Sequence, residues 1–268
     1  MTFSPLTDVI LETTKRSGRG STRVSRVIVH NWAGMYGGIE RLVYSTDAAS
    51  SNYIILSQAY KMPRAGRRLN GSTVPPGTVL PAGTIIGSVP EEYRAWTSGS
   101  AAADNSSITF EIQNSTPAIP GEISQAAWNS SVRLLADIAK RYQFPKIEFG
   151  STVRGHKEFQ NTSCPGPWLW PRLPQLAADA QQARTTTPTT TPNPPITLPE
   201  GIDDMQIVTL TGDATQYLLG ADGTIIALPN IEYAQVANAM VAKKLEGINK
   251  RQRDVLLDIC RRMKGARK

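Results

Sequence analysis

Histidine and cysteine are nearly missing from this chain of 268 residues, which holds two of each. With Cys164 and Cys260 on either side of a Thr/Pro-rich stretch, a disulfide-stapled scaffold is a poor reading, and each thiol is either a buried packing residue or a metal ligand. Also missing is an apolar run long enough to span a bilayer. The opening residues, "MTFSPLTDVILETTKRSGRG", lack the basic start and apolar block of a secretory signal peptide. The expectation is a protein made soluble in a cytoplasm, without membrane insertion. Charge is modest as well: 19% of residues are charged against 40% hydrophobic, enough apolar matter for a real core and too little charge for a disordered polyelectrolyte.

What charge there is gathers at one end. From Lys243 onward there are ten basic residues and three acidic ones, an excess that accounts for the whole formal charge of +7. Such a tail suits a polyanion, whether nucleic acid, anionic lipid or cell-wall polymer, and suits equally a solvated helix that aids solubility.

The stretch "ARTTTPTTTPNPPITLPE" loses apolar periodicity and is dominated by threonine and proline, the composition of an extended spacer. It divides the chain into a first domain over 1–183, a linker over 184–199 and a smaller module over 200–268. In the first domain, "RVIVHNW" reads as a buried strand ending at His30, followed by a Gly-rich turn and a short helix, "IERLVYSTDA". "SNYIILSQ" and "TIIGSV" read as strands, and the Pro- and Gly-rich residues 63–83 as a long surface loop. "SSITFEIQN" alternates, so Ile108, Phe110 and Ile112 share a core face while Glu111 projects from the other. "ISQAAWNSSVRLLADIAKRYQF" reads as a helix capped by Ser124, with Ile123 and Trp128 placed as a hydrophobic staple and Leu135 and Ile138 on its apolar face. Strands alternating with helices predict an α/β domain, a mixed central sheet flanked by helices.

His30, His156 and Cys164 form a nitrogen and sulfur donor set that suits zinc and leaves a fourth tetrahedral position open. Pro165 and Gly166 favour a loop that folds Cys164 back toward His156. Spacing alone leaves the plain alternative open: a hydrogen-bonded strand histidine and a small buried thiol.

In order, "RVIVHNW", "SSNYIIL", "VPEEYRAWTSG", "SITFEIQN" and "GHKEFQNTSCPG" resemble the type 2 N-acetylmuramoyl-L-alanine amidases, a family that includes phage lysins and peptidoglycan recognition proteins. The resemblance covers roughly residues 20–176. It implies a mixed sheet with zinc in a surface groove, held by His30, His156 and Cys164. It implies bacterial peptidoglycan as the partner, and hydrolysis of the amide between N-acetylmuramic acid and L-alanine by zinc-activated water. Glu111 matches the family glutamate and is the expected general base, and Tyr53 matches a tyrosine near the metal. An exposed strand carboxylate and an ordinary strand tyrosine are the plain alternatives for those two. Three departures stand out: Asn52 and Thr97 where many members carry histidine, and Thr162 where some carry lysine and others threonine. Thr162 can hydrogen-bond an oxyanion but adds no charge. Trp96, in "AWTSGS", either borders the groove or belongs to the core.

The last module reads as strands in "IVTLTGDATQYLLGADGTIIALPN", then one helix from Asn230 and a second from Asn249, with Cys260 packed in its stripe. Tethered to a wall-cutting domain, an α+β module of this kind is expected to bind the cell wall, with dimerisation as the alternative. The composite expectation is an endolysin held in the host bacterial cytoplasm until lysis. A non-catalytic peptidoglycan binder is the runner-up, disfavoured by a complete ligand set, and an autolysin or virion-associated enzyme would share the chemistry. Nucleic acid is not an expected partner, and oligomeric state is left open.

Overall fold

The computed structural model describes residues 2–32, 38–185, 206–209, 216–219 and 225–227. The chain divides into two compact units, Met1–Thr187 and Pro188–Lys268. The helices expected from Asn230 and Asn249, Cys260 with them, and the expected linker beyond Thr185 lie outside the described residues.

Among the described residues, the first unit contains twelve strands: β1 (Val9–Ile10), β2 (Arg16–Gly18), β3 (Arg26–Asn31), β4 (Tyr53–Ile55), β5 (Tyr60–Lys61), β6 (Gly66–Arg67), β7 (Thr73–Val74), β8 (Val79–Leu80), β9 (Ile85–Gly87), β10 (Tyr93–Ala95), β11 (Ser107–Ile112) and β12 (Val153–Gly155). Its α-helices are α1 (Ala101–Asn105), α2 (Gln125–Arg141) and α3 (Leu173–Thr185). Eight strands form one mixed sheet in the order β12-β3-β11-β4-β9-β1-β6-β7, in which β12, β3, β11 and β4 run parallel. Strand β9 reverses against β4, and β2 and β10 pair separately.

Parallel strands are covered on both faces, and this sheet obeys that rule. Tyr53, Ile55, Ile108, Phe110 and Ile112 face a core closed by α2 and α3. Ile54, Ile86 and Leu56 face a second core that includes Ile39, Leu42 and Val43. Those last two belong to a short π-helical turn, Glu40–Tyr44, where the sequence predicted a somewhat longer helix.

Helix α2 starts where its cap predicts. Ser124 is extended, and its Oγ accepts from the Ala127 N–H at 3.2 Å. Leu134, Leu135 and Ile138 are fully buried, and truncating one to Ala would cost about 2–5 kcal/mol. Helix α3 has its own stripe, Leu173, Leu176, Ala177 and Ala180, spaced at helical period and buried against the same core. The surface loop expected over residues 63–83 is corrected: it carries β6, β7 and β8, and Val74 and Leu80 are buried. Strands two residues long leave no period for a sequence to display.

Among the charged groups buried in this unit is Glu91. Glu91 accepts from Tyr53 Oη at 2.5 Å, from Arg141 at 2.5 and 2.7 Å, and from Tyr142 Oη at 3.0 Å. Arg141 also holds Asp137, which accepts from Ser4 Oγ. The network ties the N-terminal segment, β4 and α2 together with its polar groups paired, the condition under which buried charge is tolerated.

In the second unit β13 (Gln206–Thr209), β14 (Gln216–Leu219) and β15 (Ile225–Ala227) form an antiparallel sheet, in the region read as short strands. No helix among the described residues is long and apolar enough to cross a membrane.

Candidate metal centre and groove

In open α/β sheets, ligands collect beyond the carboxyl ends of parallel strands. A groove of about 750 Å³ opens there, above β3, β11 and β12. His30 and Asn31 end β3, Glu111 lies one residue from the end of β11, and His156 follows directly on β12.

His30 is fully buried, and both of its ring nitrogens lack a hydrogen-bond partner. Burial, with the neighbouring His156 adding to it, pushes its pKa well below the usual histidine range, so the ring is a neutral donor. The two imidazoles stand 4.4 Å apart between ring centres. His156 opens a tight 3₁₀ turn, and its Nε2 lies 3.1 Å from Gln160 Oε1.

Cys164 arrives on a loop pinned from several sides. The Lys157 N–H donates to the Cys164 carbonyl at 3.1 Å, and the Gly166 N–H donates to Ser163 O at 2.7 Å. Gly166 has φ +94°, and a Cβ there would lie 2.7 Å from Gly121 Cα, so a side chain is excluded twice over. The Cys164 sulfur accepts from the Asn31 N–H at 3.3 Å. Burial first, then the nearby Glu111 carboxylate, raises the thiol pKa, so a cation is what would hold it as thiolate.

One donor atom from each of His30, His156 and Cys164 lies within 4.8 Å of the others. Two imidazoles and one sulfur, with both nitrogens of the buried ring unclaimed, fit a metal ion as the missing partner. Among the described residues this is the cluster able to hold one.

Glu111 stands beside this set, across from His30 in the sheet register. Its Oε2 is buried without a partner, and burial raises the carboxyl pKa to about 8, with Arg41 pulling weakly the other way. The sequence placed Glu111 on the strand face opposite Phe110, and from that face it lines the groove. Thr162 lines the groove too, its Oγ1 accepting from the Cys164 N–H at 3.2 Å.

Tyr53 is not brought to the metal set. It pairs in register with Phe110, so alternation turns it to the face opposite Glu111. It is fully buried between Phe3 and Phe110, with its hydroxyl on Glu91 and accepting from the Ser4 N–H. The expected place beside the metal is therefore corrected.

The departures at Asn52 and Thr97 have a shared structural basis. Buried Asn52 Oδ1 accepts from the Thr109 N–H at 3.0 Å, and its Nδ2 donates to Val89 O and Tyr93 O. Thr97 Oγ1 donates to Ser50 O at 2.7 Å and lies 2.9 Å from Thr109 Oγ1. Both side chains thus meet at Thr109, two residues before Glu111 on its strand. Trp96 borders the groove, as one of its two readings had it, with Nε1 donating to Ser17 Oγ at 2.9 Å. Sequence reasoning missed Asn31, Arg41 and Arg94, which also line the groove. Adjacency to His30 was the available signal for Asn31; nothing local marked the two arginines.

Comparisons with known proteins bear on this geometry. The family profile described as N-acetylmuramoyl-L-alanine amidase matches residues 20–167, a span holding all three candidate ligands and Glu111. Similar solved structures include the Staphylococcus aureus hydrolase AmiA in complex with its ligand, at 15% identity, TM-score 0.46, and coverage of 67% of this chain and 88% of that one. A mutant of PlyL is 17% identical at TM-score 0.44, covering 66% of this chain and 99% of the other. The N-acetylmuramoyl-L-alanine amidase LysC from Clostridium intestinale URNW is 13% identical at TM-score 0.39, covering 61% and 94%. No curated protein sequence matches the chain.

Proposed function

The chain belongs to the N-acetylmuramoyl-L-alanine amidase family, and we propose that it is a zinc-dependent peptidoglycan hydrolase of the endolysin type, cutting the amide between N-acetylmuramic acid and L-alanine. The observation that carries this reading is the convergence of His30, His156 and Cys164 within 4.8 Å, with both nitrogens of buried His30 unclaimed. A second compact unit, Pro188–Lys268, joined through the Thr/Pro-rich stretch, is in keeping with a lysin that anchors itself to its substrate.

His30, His156 and Cys164 are the residues that would hold zinc, which when bound supplies Lewis acidity for the amide carbonyl and for water. Glu111 takes a proton from the attacking water and returns it to the departing alanine nitrogen. The C–N bond breaks as a C–O bond forms, leaving a muramic carboxylate and a free amine. A carboxyl whose burial raises its pKa to about 8 holds a proton too tightly to act as a base at lower pH; a cation alongside draws that value toward neutrality, where taking and returning a proton are both easy. The Thr162 hydroxyl faces the groove and can donate to the carbonyl oxygen. Arg41 and Arg94 give the groove two cationic side chains for the carboxylates of a stem peptide, and Trp96 offers an apolar wall beside them.

The test is digestion of purified peptidoglycan followed by mass spectrometry of the released fragments. Free stem peptides beginning with L-alanine, alongside peptide-free glycan, are expected. Cleavage within the glycan or within the peptide would overturn the assignment.

A further inference from the structure

His30 and His156 differ in what holds them. Both ring nitrogens of buried His30 lack a hydrogen-bond partner, so packing alone fixes that ring. His156 is half-buried at the start of a 3₁₀ turn, and its Nε2 lies 3.1 Å from Gln160 Oε1. Gln160 is exposed and lines the groove, and the chemistry described above makes no use of it.

Its carboxamide is seated. It lies against Gly99, where φ is +69° and an added Cβ would fall 2.6 Å from Oε1 and 2.9 Å from Cδ. A glycine at that position leaves room for the side chain. Gly99 is held in turn: the Thr97 and Ser98 N–H groups donate to the buried Asp104 carboxylate at 3.2 and 3.1 Å, and Ser100 Oγ caps α1. On the other side, the Phe159 N–H donates to His156 O at 2.9 Å, and the Phe159 ring meets the guanidinium groups of Arg26 and Arg154. Two segments distant in sequence thus meet at one side chain.

An amide oxygen accepts and cannot donate. The single proton of a neutral imidazole therefore belongs on Nε2, facing Gln160, and the lone pair is left on Nδ1. A histidine that ligates a metal gains basicity and a fixed ring orientation when its other nitrogen donates to an acceptor. Gln160 supplies that acceptor to His156, and none of the described residues supplies one to His30. We propose that Gln160 is a positioning residue for the metal site, holding His156 in its Nε2-protonated form so that Nδ1 is the donor atom. This rests on the metal set of the amidase reading, and not on which bond is cut.

The experiment titrates zinc into the full-length, metal-stripped parent, Gln160→Leu and Gln160→Glu in competition with a chelating indicator. Leucine removes the acceptor, and zinc affinity should fall roughly 10- to 100-fold. Glutamate restores an acceptor, and its affinity should equal or exceed that of the parent. Melting temperatures of the three metal-free chains should agree, because the position is exposed. Parent-like affinity in the Leu variant would overturn the proposal. Tighter binding there would also overturn it, by showing that Oε1 competes with the metal for Nε2. Equal weakening in both variants, or a Leu variant that melts lower before zinc is added, would reduce Gln160 to packing. A parent that binds no zinc overturns this inference and the metal in the amidase reading together. A parent that follows the expected pattern yet cuts peptidoglycan at another bond overturns that reading alone.

Discussion

Glu111 and His30 are register partners on the adjacent parallel strands β11 and β3. Equal register puts their side chains on the same face of the sheet, an unpartnered carboxyl oxygen of a residue that lines the groove beside two unpartnered nitrogens of a fully buried imidazole. Strand pairing, rather than a loop, fixes the spacing of proposed base and proposed ligand. Sites on regular elements hold their geometry better than sites on loops.

This pairing makes Glu111→Gln informative in two ways. With zinc present, turnover should drop by roughly a hundredfold or more, because the amide cannot accept a proton, while zinc content stays unchanged. In the metal-free chain the same change should alter stability with pH. The folded carboxyl has a pKa of about 8 against an ordinary value of 4.5. Between those values the folded chain keeps a proton that the unfolded chain has released, so stability falls as pH rises. Glutamine does not titrate, so its melting-temperature advantage over the parent should widen from about pH 5 to about pH 8. A constant gap across thermal scans would mean that Glu111 is already ionised in the fold.

Metal dependence should follow the donor set. The parent is expected to bind about one zinc per chain by elemental analysis, to lose wall lysis on chelation and to regain it with zinc. Cys164→Ser replaces a thiolate by a weak ligand and should lose the metal under the same dialysis. Full lysis by a chain shown to be metal-free would remove zinc from the proposed mechanism.

Tyr53→Phe separates packing from catalysis. The hydroxyl lies on the face away from the groove, where it serves Glu91 and the Ser4 N–H. Removing it leaves both short of a partner and should cost about 1–3 kcal/mol in chemical denaturation. Turnover on a soluble muropeptide should match the parent. A large loss of turnover with stability unchanged would restore Tyr53 to the reaction.

These residues also show how far the sequence could be read. Strand β11 and helix α2 are legible because each is long enough to display its period and α2 has a capping serine. The donor trio was legible through the family resemblance, since spacing alone left a strand histidine and a buried thiol open; that its three donor atoms converge within 4.8 Å is what the fold adds. Tyr53 was misplaced because the resemblance alone put it near the metal, while the face it takes depends on its pairing with Phe110 of β11. Glu91 was invisible for a related reason: "VPEEY" reads as a turn, and its partners Tyr53, Arg141 and Tyr142 are far away in sequence. Helix α3 escaped notice because its stripe is half alanine and it follows a run rich in proline.

The remaining prediction concerns Pro188–Lys268, which we propose binds the wall. A chain ending after Thr187 keeps α3 whole, including Arg184, which donates to Phe144 O at 2.5 Å and Pro145 O at 3.2 Å. It should retain its zinc and cleave soluble muropeptides at the parent rate. A chain ending at Ala183, the boundary that composition suggested, removes those bonds and should melt lower. On intact walls the Thr187 chain should be much slower, because tethering no longer raises its local concentration. The isolated 188–268 segment, fused to a fluorescent reporter, should sediment with walls. The basic excess after residue 242 predicts that added salt weakens this binding by screening. Salt-insensitive binding would move the contact to the β13–β15 sheet. A segment that ignores walls but makes the full chain dimeric in light scattering would replace anchoring with oligomerisation.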